Sequence, residues 1–112
     1  MNTLEILKEA IKRRCSVSFE YNKQGQIGGE RIGDPHAVFV FTAKLGAQST
    51  KVDLFQTGGE SDTTIEKPLP SWRFFNLNDI SSVKILDNMP QFVQADGYLP
   101  ESARYENPLA KI

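Results

Sequence analysis

The stretch PSWRFFNLNDI, residues 70–80, sets Arg73 between Trp72 and the pair Phe74 and Phe75. A guanidinium carried on a strand beside aromatic rings has two chemical uses. It grips a phosphate or carboxylate through parallel N–H donors, or it stacks on a ring. Arg31, in ERIGDP, has a similar setting. The blander alternative for both is a structural ion pair, or an arginine whose stem lies on apolar surface while its head reaches water. The chain has one histidine, His36, and one cysteine, Cys15. That pair excludes a Cys/His zinc site within one chain and any intramolecular disulfide. Cys15 reads as a small buried hydrophobe, although Arg13 and Arg14 beside it would lower a thiol pKa. His36, at a strand end, reads as a residue that orients a loop or contacts a ligand. As a general base it has no assignable nucleophile, because Ser61, Ser71, Ser81 and Ser82 lack a G-x-S-x-G setting. The carboxylates have no metal-site spacing. QTGGES has two glycines that could let backbone amides approach an anion, but it lacks the GK[ST] of a phosphate loop and reads first as a turn. The expectation is a protein that is not an enzyme and carries no cofactor.

The elements that must position these residues follow from period. At 112 residues the chain is one domain by length. A chain of this mass buries roughly two-thirds of its unfolded surface, enough for a core without disulfides or metal. The net charge of −1 argues against non-specific nucleic-acid binding by the whole surface, while leaving room for a local basic pocket. No apolar run approaches a membrane span, and Glu5 and Glu9 interrupt what would be a leader's apolar stretch. The expected location is the cytoplasm, with no membrane contact.

Residues 3–14 read as a helix with Leu4, Leu7, Ala10 and Ile11 on one face, Asn2 as cap and Lys12, Arg13 and Arg14 complementing the dipole. Val17, Phe19 and Tyr21 alternate with polar residues in a strand. NKQGQIGG is a turn. A short strand at 30–33, a strand at 36–43, a turn at Gly46 and a strand at 50–56 follow. Residues 57–70 read as a long loop, and 72–77 and 80–86 as two more strands. The segment 87–112 is too apolar for disorder and too rich in proline for a long helix. The expected fold is mainly β: an N-terminal helix, then a small, strongly bent antiparallel barrel of five to six strands, with an irregular C-terminal tail. Domain boundaries are placed at 1–87 for the barrel with its helix and 88–112 for an extension that packs on the barrel or on a partner.

The order of these residues resembles the WYL domain family, bacterial regulatory modules with an Sm-like small β-barrel. The resemblance covers about residues 4–87. It begins at LKEAIKRRCSVSFEYN, where a helix ending in a basic stretch leads into a v-x-F-x-Y strand, here Val17, Phe19 and Tyr21. It continues at ERIGDPHAVFV, similar to R-x-x-x-P before an apolar strand. Arg73, Phe75, Leu77 and Ile80 match the family's R-x-F-x-L-x-R-I, with Asp79 in place of the second arginine. The Trp-Tyr-Leu triplet is missing, and KVDLFQTGG stands at about its place, with Asp53, Leu54 and Phe55. No helix-turn-helix precedes the domain, so the chain is expected to be a divergent, standalone form. The resemblance implies a ligand-sensing role in transcription regulation. Arg31 and Arg73 would contact an anionic ligand, a nucleotide or single-stranded nucleic acid. Ser18, Tyr21, His36 and Gln56 would line the same site, and Trp72 and Phe55 would offer a stacking face for a base. Asp79 favours a smaller or less charged ligand. The competing expectation is a structural or protein–protein interaction module, a homodimer among its forms, that associates through its aromatic surface and tail.

Overall fold

A computed structural model describes residues 1–25, 27–61 and 68–112. Helix α1, Thr3–Arg13, opens where the Asn2 side chain accepts the Glu5 N–H at 2.9 Å. It closes at Arg14, whose left-handed backbone lets its N–H reach Ala10 O and Ile11 O. Leu7, Ala10 and Ile11 are the buried stripe. Six strands follow: β1 Val17–Tyr21, β2 Glu30–Thr42, β3 Gln48–Gly59, β4 Ser71–Asn76, β5 Ile80–Ile85 and β6 Pro108–Lys111. They form one antiparallel sheet in the order β4-β3-β2-β1-β5, with β6 added against β2. The protein is thus mostly β behind one N-terminal helix. Among the described residues β4 and β5 are not paired, so the sheet stays open. Only the 3-10 turn Leu77–Asp79 separates them in the chain.

Three elements differ from the sequence expectation. The two strands expected at 30–33 and 36–43 are one 13-residue strand, because a bulge between Pro35 and Ala37 absorbs the proline, which has no N–H for the ladder. The strand expected to end at Gln56 runs on to Gly59, so the expected loop is shorter; its residues 62–67 lie outside the described residues. The C-terminal segment is more regular than expected. It makes a 3-10 turn, Ala103–Tyr105, and then β6, and it packs on the chain's own sheet.

The two faces of the bent sheet carry two cores. One face buries Val17, Phe19, Tyr21, Val52, Leu54 and Phe75 together with the α1 stripe. The other buries Ala37 and Phe39 under Tyr98 and Tyr105 of the C-terminal segment, with Trp72 against them. Among the described residues no helix is long and apolar enough to cross a membrane.

Candidate functional site

Strand alternation decides which of the singled-out residues can meet. Val52, Leu54 and Gln56 project from β3 to the α1 side, and their neighbours on β4 are Phe75, Arg73 and Ser71 in register. Arg31 on β2 lies opposite Phe19 and Gly59 and faces the same side. This face therefore carries a polar end beyond its apolar core, built from Arg31, Gln56, Ser71 and Arg73.

Arg73 is half-buried. Its guanidinium donates to the hydroxyl of Ser71, to Ser61 Oγ at 2.9 Å and to the Trp72 carbonyl at 3.1 Å. Arg31 is 2% exposed. It lies over the Tyr21 ring at 5.2 Å and the Phe75 ring at 5.5 Å and donates to Ile27 O at 2.7 Å. Tyr21 is itself buried edge-on to Phe75. Gln56 is fully buried. Its Nε2 donates to Gly58 O at 2.9 Å and Glu60 O at 2.7 Å, which fixes the amide's orientation. Its Oε1 then points into the protein with no donor in reach. A buried acceptor left so costs about 1–3 kcal/mol unless a donor arrives from outside the chain.

The other expected residues lie elsewhere. His36, Trp72 and Phe55 sit on the opposite face. His36 is fully buried, and its two ring nitrogens have opposite roles: Nδ1 donates to Asp34 O at 2.8 Å, and Nε2 accepts from the Ala95 N–H at 3.0 Å. Burial holds the imidazole below its ordinary pKa, so the ring is neutral with the proton on Nδ1. Its lone pair is already used, so here it positions the C-terminal segment. Trp72 donates Nε1–H to Asp96 O at 2.8 Å and is stacked against Tyr98, with Phe55 edge-on at 5.6 Å. Ser18 is buried on β1 opposite Ile32 and Lys84, on the face away from Phe19 and Tyr21, and joins neither group.

Sequence reasoning missed a further cluster. Asp53, 1% exposed, receives Arg104 Nε at 2.6 Å, Arg104 Nη2 at 2.9 Å and the Tyr105 hydroxyl at 2.8 Å. The Asp53 carboxylate raises the Arg104 pKa, and burial, reinforced by that carboxylate, pushes the Tyr105 phenol well above its ordinary value. Arg104 also lies over the Phe39 ring at 5.0 Å and the Phe74 ring at 4.7 Å. The available signal was Asp53 itself, a lone carboxylate inside an apolar strand, which must find a cation. Among the described residues no group of three histidine, cysteine or acidic side chains is placed to hold a metal ion. No protein-family model and no curated protein matches the chain.

Proposed function

We propose that this chain is a divergent WYL-like module with an Sm-like barrel, working in the cytoplasm as a non-enzymatic sensor of a negatively charged ligand, a nucleotide or single-stranded nucleic acid. The barrel reading is supported by a helix ahead of a four-strand meander, β1 to β4, whose fifth strand pairs back with β1, so that the two edge strands β4 and β5 are joined by a three-residue turn. The ligand reading rests on one observation. The half-buried Arg73 stands opposite Leu54 and is oriented by Ser61 and by Ser71, and Ser71 in turn stands opposite Gln56, whose buried Oε1 has no donor. A guanidinium flanked by two hydroxyls is a donor set of the kind that suits an anion such as the phosphate of a nucleotide. Arg31 supports the site from within, stacked on Tyr21 and Phe75. Association through the tail has less support, because Tyr98 and Tyr105 are buried on the chain's own sheet.

Thermal melts with mononucleotides, cyclic dinucleotides and short single-stranded oligonucleotides test this. A ligand at 100 times its Kd adds about 2.7 kcal/mol, a rise of roughly 10 °C for a domain of this size. The expected result is a rise in wild type that disappears in Arg73→Ala. A cooperative melt that no member of the panel shifts would overturn the reading.

A further inference from the structure

Away from Arg73, the outer edge of β4 combines three properties. It pairs only with β3 among the described residues, in an unbroken register from Ser71 to Asn76. It has no proline and no bulge, and its one charge, Arg73, faces the α1 side. Edge strands usually carry such protection, since exposed backbone N–H and C=O groups template further pairing. In the middle of this edge Phe74 is 58% exposed.

Two clefts flank Phe74 and share it and Arg104 as walls. One, of about 240 Å³, lies toward Trp72, Tyr98 and Leu99. The other, of about 260 Å³, lies round the Asn76 end of the strand, with Lys23, Lys51 and Phe41 on its walls. Among the described residues Asp53 is the one carboxylate lining either cleft, and Arg104 neutralises it. Lys23 and Lys51 leave the second cleft positive. Lys51 Nζ is held over the Phe41 ring and donates to Asn76 Oδ1.

We propose that the β4 edge is a docking strand for an extended, acidic segment of a partner protein. The segment adds by backbone hydrogen bonds along Ser71–Asn76. Side chains two residues apart on a strand are separated by about 7 Å. An apolar residue on the segment enters the cleft beside Leu99, and an acidic residue past Phe74 meets Lys51 and Lys23. The net positive lining selects for acidic character, and the apolar first cleft for an aromatic or aliphatic anchor.

The test pans the full chain against a displayed library of random 16-residue peptides and measures the enriched peptides, synthesised and labelled, by fluorescence anisotropy. The enriched sequences are expected to alternate apolar and acidic residues. Their affinity is expected to fall at least tenfold in Phe74→Ser and in Lys51→Glu, measured at a temperature where circular dichroism shows both variants fully folded. N-methylation of alternate peptide amides on the pairing side is expected to abolish binding. No enrichment, or affinity indifferent to both substitutions, would overturn the proposal. So would two other outcomes at the same edge: self-association in sedimentation that Phe74→Ser abolishes, or a labelled oligothymidine that binds there and depends on Lys51.

Discussion

His36 is held in one protonation state by two hydrogen bonds of opposite sense, and this has a pH consequence. Its folded-state pKa lies below the ordinary value of 6.5 because burial disfavours the cation, with Arg14 acting the same way and Asp34 and Asp53 opposing. The folded state therefore binds fewer protons than the unfolded state just below pH 6.5, and stability falls as pH drops through that window. Urea midpoints measured from pH 7 to pH 5 should decline in wild type and flatten in His36→Gln. A flat wild-type profile would mean that the ring titrates as it does in water. Asp34 acts with the opposite sign in a more acid window, since burial raises its pKa above 3.8. Asp53 carries a second prediction. Asp53→Ala strands Arg104 and the Tyr105 hydroxyl. Breaking a buried pair costs about 3–5 kcal/mol, and the 37% exposure of Arg104 reduces this to about 2 kcal/mol by chemical denaturation. Asp53→Asn, which keeps an acceptor for Tyr105, should lose less.

At the scale of elements, β2 depends on a close approach to β3 at Gly33. A Cβ there would lie 2.3 Å from Leu54 Cδ2 and 2.9 Å from the Phe55 carbonyl. Leu54 can shift its methyl, but the strand carbonyl cannot move without the ladder. Gly33→Ala should therefore cost about 1–3 kcal/mol, read as a lower melting temperature with the sheet's circular dichroism retained. If the melt were unchanged, the two strands would have slack that the packing here does not show. Local elements were legible because their signals are local. Asn2 three residues before Glu5, the Leu7–Ala10–Ile11 stripe and the alternation of Val17, Phe19 and Tyr21 each encode their element within a few residues. Pro35 misled, because its missing N–H reads as a strand end when a bulge tolerates it. The site residues separated for the same reason: strand alternation places Trp72 and Arg73 on opposite faces, so adjacency in sequence put them in one imagined pocket. Which distant groups meet His36 Nε2 and the Asp53 carboxylate was not legible. They come from Ala95, Arg104 and Tyr105, more than 50 residues away, and no local pattern encodes them.

At the scale of the whole molecule, the C-terminal segment makes the second core, and that fixes what a truncation would do. Tyr98 and Tyr105 are both buried. A buried tyrosine removes about 150–200 Å² from water, worth at most about 4–5 kcal/mol at 25 cal/mol per Å². Two of them approach the 5–15 kcal/mol by which a domain is usually stable. The segment also supplies the acceptor of Trp72 Nε1, the amide that reads His36, the cation of Asp53 and the strand beside β2. A chain ending at Asp87 leaves all of these groups unpaired at once. It should melt without a cooperative transition, bind anilinonaphthalene sulfonate and show red-shifted Trp72 emission. Trp72 is the one tryptophan, so the emission reports this contact alone. Should the shortened chain instead melt cooperatively with unshifted emission, the α1-side core would be sufficient by itself. The C-terminal segment would then be a detachable cover over the face that holds Trp72 and Asp53.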